Sequence, residues 1–468
     1  MTQLSATPPA RHRNLAVMGA GYVGLVTAAC LAEVGNRVHC VDRDRAKLHQ
    51  LRGGHLPIYE PGLDAIVQRN AAAGRLSFTE DLGAAVADAD IVFIAVGTPP
   101  REDGSADLSQ VLQAAQSVAR EAGRGMVVVI KSTVPVGTCD RVREVMDAEL
   151  ARRGAPHELR VAANPEFLKE GHAISDFQRP DRIVIGADDE HACALLRALY
   201  APYSRNRDRL ICMGVRSAEF TKYASNAMLA ARISLMNELA GLAERVGADI
   251  EAVRRGTGAD PRIGYDFLYA GAGYGGSCLP KDVRALVRMA EEYGAPADIL
   301  RSVQQVNIRQ RGLLYGKLER MLQGCLAGKT IAVWGLAFKP LTDDIREAPA
   351  IDLIRRLLQA GATVRGYDPV AAANARRALG HRAFSIAADA YSACEGADAL
   401  VVMTEWREFK SPDFRGLAHA LRAANLLDAR NIYDPQYVRA CGLRYEGVGR
   451  DGSSAKGMLP AAVAAPVR

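Results

Sequence analysis

The densest concentration of chemically capable side chains lies in Gly275-Gly276-Ser277-Cys278-Leu279-Pro280-Lys281-Asp282. A glycine-dense run, Gly271-Ala272-Gly273-Tyr274-Gly275-Gly276, precedes the thiol. Glycine loses the most backbone freedom on ordering, so such a run belongs where backbone must come close to something, not inside a helix or strand. After the thiol, Pro280 bars an upstream helix from running through, and Lys281-Asp282 opens an apolar segment from Val283 to Met289 with helical spacing. Cys278 is therefore predicted on a turn at a helix N-terminus, where free N–H groups and the dipole favour thiolate. A lone cysteine is by default a small buried apolar residue. The glycine flanks and adjoining charges point instead to a reactive thiol.

Two further groups could work beside it. Lys222 and Asn226 stand at i and i+4 in Ser217-Ala218-Glu219-Phe220-Thr221-Lys222-Tyr223-Ala224-Ser225-Asn226, which opens a predicted helix of more than 25 residues capped by Ser217. With Phe220, Ala224, Met228 and Leu229 as neighbours, Lys222 either snorkels to water or is desolvated, and a desolvated lysine has a lowered pKa suited to proton transfer or oxyanion stabilisation. Glu166 and Glu170, four apart in Asn164-Pro165-Glu166-Phe167-Leu168-Lys169-Glu170-Gly171, share one face if that stretch is helical, and are a solvated turn if it is not.

The elements that must position these groups are α/β. Asn14–Met18 is a short apolar strand entering Gly19-Ala20-Gly21-Tyr22-Val23-Gly24, followed by an Ala/Leu/Val helix to Val34 and a second strand ending at Asp42. Gly19 makes the tight turn, Gly21 admits a pyrophosphate, and Gly24 permits close helix packing, with the helix N-terminus stabilising phosphate charge. Asp42, eighteen residues past the third glycine, suits the ribose 2′-hydroxyl and repels a 2′-phosphate, which favours NAD; Arg43 and Arg45 keep NADP open. Strands continue at Asp90–Val96 and Met126–Ile130, so Thr98 and Lys131-Ser132-Thr133, at their carboxyl ends, should border the cofactor; Ser132 and Thr133 equally suit a helix cap. Lys329–Lys339 repeats the strand-to-glycine pattern, with Ala337 and Lys339 read in place of the second and third glycines, and Ala362–Asp368 is another strand ending in an acid. That closes the groove to a dinucleotide and adds a cation. The fold class predicted is α/β, with two Rossmann-like doubly wound domains joined by a long central helix and a helical dimerisation region. Its divisions are a disordered basic tail over 1–13, an NAD-binding domain over 14–213, a central helical domain over 214–325 carrying the cysteine loop, a second Rossmann-like nucleotide domain over 326–448, and a disordered tail over 449–468.

Composition narrows the class. Of 468 residues, 49% are apolar and 24% charged, an ordinary globular balance, and a net charge of +6 without basic runs argues against nucleic acid. Nine scattered cysteines with no C-x-x-C pair disfavour a disulfide framework or structural zinc, and suit a reducing cytoplasm. Neither a signal peptide nor an apolar run long enough to span a membrane is evident.

The segments 19–24, 132–138, 164–171, 222–230, 273–282, 335–347 and 404–406 (Thr404-Glu405-Trp406), in this order, resemble the UDP-glucose/GDP-mannose dehydrogenase family over nearly the whole chain. The likeness is to its UDP-glucose-oxidising branch more than to those acting on GDP-mannose or UDP-N-acetylmannosamine. The resemblance implies two NAD-dependent oxidations of a nucleotide-sugar C6 alcohol, with Cys278 trapping the aldehyde as a thiohemiacetal that becomes a thioester and is hydrolysed. It makes Lys222 and Asn226 oxyanion donors, Asp282 the residue that orders water and manages protons, Glu170 a helper in proton removal, and Thr133 a water-positioning group. It implies cofactor contacts from Gly19, Gly21, Tyr22, Val23, Gly24, Asp42, Lys47, Thr98, Thr133, Glu170, Lys281 and Arg346. Substrate contacts are implied for Glu166, Phe167, Leu168, Lys169, Lys222, Asn226, Tyr265, Tyr274, Gly275, Phe338, Lys339 and Arg430, with Arg262 reaching from a neighbouring subunit. The expected partners are UDP-glucose and a second copy of the chain, with NAD as cofactor and no metal, nucleic acid or membrane. A two-electron hydroxyacid dehydrogenase and a non-catalytic NAD-binding scaffold are the competing classes.

Overall fold

The computed structural model describes residues 12–204 and 207–450. The tails predicted over 1–13 and 449–468 lie outside these residues, apart from 12, 13, 449 and 450. The chain divides into two compact units, Met1–Ser225 with Arg284–Gly294, and Asn226–Val283 with Ala295–Arg468.

The first unit is built on β1 (Asn14–Met18), β2 (Arg37–Val41), β3 (Leu76–Thr79), β4 (Ile91–Ile94), β5 (Met126–Ile130), β6 (Leu159–Ala163), β7 (Ile183–Gly186) and β8 (Leu210–Met213). They lie in the order β3-β2-β1-β4-β5-β6-β7-β8, parallel except where β6 meets β7. Every residue of β4 and β5 is buried. Unbroken apolar runs such as Met126-Val127-Val128-Val129-Ile130 suit a parallel strand covered by helices on both faces. Two apolar clusters line those faces, one around Leu15, Leu25 and Phe93, the other around Val92, Val128 and Val142. The order reverses beside β1, and at that switch point the carboxyl ends of β1 and β4 frame a crevice for a ligand.

The second unit has β9 (Thr330–Trp334), β10 (Thr363–Tyr367), β11 (Phe384–Ile386), β12 (Ala399–Val402), β13 (Asn425–Asp428) and β14 (Arg444–Glu446), all parallel, in the order β11-β10-β9-β12-β13-β14. Its turn after β9 departs from the sequence reading. Counting five residues from Gly335 places Pro340, not Lys339, where the first unit has Gly24, and no helix follows until Pro349–Gln359. The acid after the second strand is also committed inward: Asp368 is 3% exposed and accepts N–H bonds from Leu336, Ala337, Val370 and Ala371.

The predicted long helix spans Val215–Val246, 32 residues. Ser217 is not its cap. The Val215 N–H donates to Asp188 Oδ1 at 3.2 Å, so a carboxylate from the β7–α connection neutralises the first turn, and Ser217 lies within that turn. Among the described residues no helix is long and apolar enough to cross a membrane.

Candidate functional site

The turn after β1 has the geometry its glycines anticipate. Gly19 has φ +100°, and a Cβ there would come 2.6 Å from the Ala95 carbonyl oxygen; one on Gly24 would sit 1.8 Å from that of Gly19. A Cβ on Gly21 would meet nothing within 4 Å, so open space lies in front of a helix, Tyr22–Glu33, that has no side-chain cap. Its first N–H groups are left for a ligand, and Tyr22, Val23 and Gly24 supply them. A cavity of about 550 Å³ lies here, lined by Gly19, Gly21, Asp42, Lys47 and Glu80 among others. Asp42 accepts from Ala20 N–H at 2.7 Å, Asp44 N–H at 3.0 Å and Lys47 Nζ at 3.0 Å. Burial raises its pKa, and these donors together hold it below the ordinary value. Arg45 is tied to Glu80 at 2.7 Å, away from the role of a phosphate partner. An uncapped helix N-terminus, an open Gly21 and a fixed carboxylate fit NAD.

Around the ends of β4 and β5, Ser132 Oγ donates to the Val96 carbonyl at 2.7 Å, and Thr98 Oγ1 donates to the Thr133 carbonyl at 3.0 Å. Neither Ser132 nor Thr133 caps a helix. The next one begins at Thr138, and the amides of Gly137 and Cys139 donate to Glu219 at 2.7 and 2.8 Å.

Residues 164–170 are not helical, which overturns the shared face read for Glu166 and Glu170. Glu166 is buried and accepts from Lys222 Nζ at 2.9 Å, whereas Glu170 is half-buried in a turn. Burial raises the Glu166 carboxyl, but Lys222, the Leu168 N–H and Lys131 outweigh it and keep its pKa below the usual value. Lys222 thus neither snorkels nor stands bare: it is 4% exposed, paired, and 5.3 Å from the Phe167 ring centre. The apolar neighbours that suggested otherwise, Phe220 and Met228, are 48% and 65% exposed. Lys169 instead points outward to Asp176 at 3.2 Å.

The desolvated lysine is Lys131. It donates to Asn164 Oδ1 at 3.0 Å, which also accepts from Tyr200 Oη at 2.5 Å, and it lies about 6 Å from the Phe177 and Tyr200 rings. Burial pushes its pKa down to about 8. A folded pKa below the unfolded one costs stability while the lysine is charged, and the cost is relieved as pH rises from about 8 towards the unfolded value; it amounts to about 3 kcal/mol. The expected result is that wild type gains stability in this alkaline window relative to Lys131→Met, compared by urea denaturation at matched pH.

The Leu279–Glu292 helix, whose first five residues belong to the second unit, starts directly after Cys278, whose carbonyl accepts the Asp282 N–H at 2.9 Å. The thiol is exposed, next to Ser277, while the six residues 271–276 before it are buried. Asp282 is 1% exposed; Asn226 Nδ2 donates to its Oδ2 at 2.6 Å, and Lys281 Nζ lies 2.8 Å from its Oδ1. Asn226 sits one turn after Lys222 in the same helix. A second cavity, about 580 Å³, is lined by Tyr274, Gly275, Phe338, Lys339 and Arg430, with Tyr269 and Lys410. Arg430 braces its wall, donating to the carbonyls of Met403 and Phe338 at 2.7 and 2.9 Å. Arg346 and Arg262 fork onto Asp344 and Asp260, and Arg262 and Tyr265 are exposed outside the cavity lining.

Two residues in these clusters were not singled out by the sequence. Glu60 accepts from the amides of Gly171 and Ala173 and from the Tyr22 hydroxyl, fixing the end of the 164–171 loop. Asn237 accepts from Gly271 N–H at 2.8 Å. A polar residue on an otherwise buried helical face is the one hint for Asn237, and Glu60 offers none.

Comparison with known proteins agrees with this architecture. Family models described as UDP-glucose/GDP-mannose dehydrogenase match in three stretches: NAD binding domain over residues 13–204, central domain over 216–309, and UDP binding domain over 332–435. The UDP-glucose 6-dehydrogenase of Pseudomonas aeruginosa is 53% identical over 441 residues, covering 93% of this chain and 97% of that protein. The UDP-glucose 6-dehydrogenase YwqF of Bacillus subtilis is 44% identical over 437 residues, covering 93% and 98%. A UDP-glucose dehydrogenase structure from Pyrobaculum islandicum superposes with TM-score 0.86 at 39% identity, covering 96% of this chain and all 100% of that one. The UDP-D-ManNAc dehydrogenase of Pyrococcus horikoshii gives 0.82 at 28% identity, covering 93% and 99%. With three consecutive stretches matching one family and relatives aligned nearly end to end, the chain belongs to the UDP-glucose/GDP-mannose dehydrogenase family.

Proposed function

We propose that the chain oxidises the C6 alcohol of UDP-glucose to the carboxylate of UDP-glucuronate in two successive NAD+-dependent steps through a covalent intermediate on Cys278. The observation that carries this reading is the exposed thiol at the N-terminus of the Leu279–Glu292 helix, one turn from a buried carboxylate clasped by Asn226 and Lys281. The names of the relatives support the substrate.

Bound NAD+ supplies the hydride acceptor for each oxidation. Cys278 Sγ, as thiolate, adds to the aldehyde carbon, and Lys222 and Asn226 donate hydrogen bonds to the oxygen that gains charge. Loss of the second hydride leaves a thioester. Water then adds to its carbonyl, Asp282 takes the proton, and the carbon–sulfur bond breaks to return the thiolate. Glu166 holds the Lys222 ammonium for its task, with Thr133 and Glu170 assisting water and proton transfer. Arg346 and Lys281 contact the cofactor, and Phe338, Lys339 and Arg430 the nucleotide sugar. Two NADH per UDP-glucose, with little free aldehyde, is the expected stoichiometry from absorbance of NADH against consumed sugar. One NADH per sugar with aldehyde released overturns the reading, and faster turnover of GDP-mannose or UDP-N-acetylmannosamine overturns the substrate.

The chain works as a homodimer in the cytoplasm. Met228, Leu235, Leu239, Leu242 and Val246 run along one helix with exposures of 65, 57, 37, 55 and 67%, a contiguous apolar stripe that a second copy would cover. Arg262, with a side chain 87% exposed, would exchange its Asp260 partner for the neighbour's substrate. Leu242→Glu is expected to yield monomers in sedimentation; a variant that stays dimeric rejects this surface.

A further inference from the structure

The glycine run that leads to Cys278 is held by one face of another helix, Asp298–Met321. Asn307, Gln310 and Arg311 stand at i, i+3 and i+4 and so project from that face together. Gln310 Nε2 donates to the Gly271 carbonyl at 2.6 Å. Asn307 engages both polar atoms of one residue: its Oδ1 accepts the Tyr274 N–H at 2.9 Å, and its Nδ2 donates to the Tyr274 carbonyl at 3.1 Å. Arg311 donates to the same Tyr274 carbonyl at 3.3 Å and to the Glu347 carbonyl at 3.2 Å, while its other nitrogen reaches the Glu347 and Asp352 carboxylates at 2.9 and 2.7 Å. Gly276 N–H in turn donates to the Arg346 carbonyl at 2.9 Å.

The glycines are what allow this approach. At Gly273, φ is +94° and a Cβ would fall 2.6 Å from Asn307 Oδ1; at Gly275 it would fall 2.3 Å from the Glu347 carbonyl oxygen. In a segment this rich in glycine only Ala272 and Tyr274 bring side chains into the apolar clusters, so hydrogen bonds to its backbone carry much of what sets its position. Asn307 and Gln310 are 5% and 6% exposed, so those bonds are shielded from competing water.

We propose that Asn307 and Arg311 are positioning residues for the Cys278 thiol, fixing the Gly271–Gly276 backbone and fastening it to the Arg346–Glu347 segment. The inference rests on Cys278 being the nucleophile proposed above. Through this clamp, the start of the Leu279–Glu292 helix is held at the height the thiol needs, and the arginine-bearing segment moves with it.

The test uses full-length Asn307→Ala and Arg311→Lys, with Ile308→Ala, on an exposed neighbour of the same helix, as control. The expected result is a fall in kcat of about 10- to 100-fold for Asn307→Ala, with KM for UDP-glucose and NAD+ changed by less than about threefold. The rate at which iodoacetamide alkylates Cys278 in the folded protein, followed by peptide mass, should shift by about threefold or more, a readout that general loosening elsewhere does not move. Arg311→Lys keeps the charge facing Glu347 and Asp352 but cannot span both carbonyls, so it shows the same pattern with a smaller loss; it decides the matter if Asn307→Ala does not fold. Unchanged kcat and alkylation in the folded variants, or a change in KM alone, overturns the proposal. Cys278→Ser separates the two readings: if it still makes UDP-glucuronate, the nucleophile is wrong; if it is inactive while both clamp variants match wild type, only the clamp is wrong.

Discussion

Cys278→Ser lowers formation of UDP-glucuronate by about 10³-fold or more while leaving binding of UDP-glucose and NAD+ nearly intact. A serine hydroxyl at neutral pH offers almost no alkoxide, whereas a thiol at a helix N-terminus is readily ionised there. An ester formed on oxygen would also release its acyl group to water more slowly than a thioester. The side chain is exposed and the substitution nearly isosteric, so stability should stay within about 0.5 kcal/mol of wild type. Steady-state kinetics, with intact mass after mixing enzyme, UDP-glucose and NAD+, checks both parts. Full turnover by the serine variant, with no adduct on wild type, would remove the covalent mechanism altogether.

Lys222→Met should be costly twice over. Lys222 and Glu166 are 4% and 6% exposed and 2.9 Å apart, so removing the ammonium strands a carboxylate in the interior, at about 3–5 kcal/mol. Loss of the oxyanion donor proposed above should separately lower kcat by about 10²- to 10³-fold. The two effects part company in the double variant Glu166→Gln/Lys222→Met, which should regain most of the stability and none of the rate. The pH sign is also fixed. In wild type the Glu166 pKa is lowered, so its stabilisation is complete above the unfolded carboxyl pKa and is lost as pH falls through the folded one. In the single variant that pKa rises, so the stability gap to wild type narrows as the medium becomes acid. A gap that stays constant from neutral to acid pH in urea denaturation would mean the pair is not what holds the loop.

Both outcomes bear on how the architecture is encoded. Gly19, Gly21 and Gly24 announce their turn because each answers a local demand: a positive φ, an open approach, and a contact 1.8 Å from backbone had there been a Cβ. The order of strands and helices is legible for the same reason, since apolar runs and helical spacing are properties of neighbours in the chain. Local reading also slipped where two local patterns were equally good. Ser217 resembled a cap, yet Asp188 holds that helix start; Glu166 and Glu170 had helical spacing in a stretch that Pro165 and its clasped carboxylate keep irregular.

What the chain alone determined about this protein is therefore its fold class, its phosphate turn and the placing of Cys278 before a helix, all set by interactions within a few residues. Which polar groups meet was decided only by tertiary structure: Lys131 with the Asn164 amide, Lys222 with Glu166 and the Asn226 amide with Asp282 are partners 33 to 56 residues apart. Their pairing depends on burial, which strengthens an ion pair or a charge-assisted hydrogen bond and penalises any charge left without a partner, and burial is a property of the packed molecule, not of a spacing.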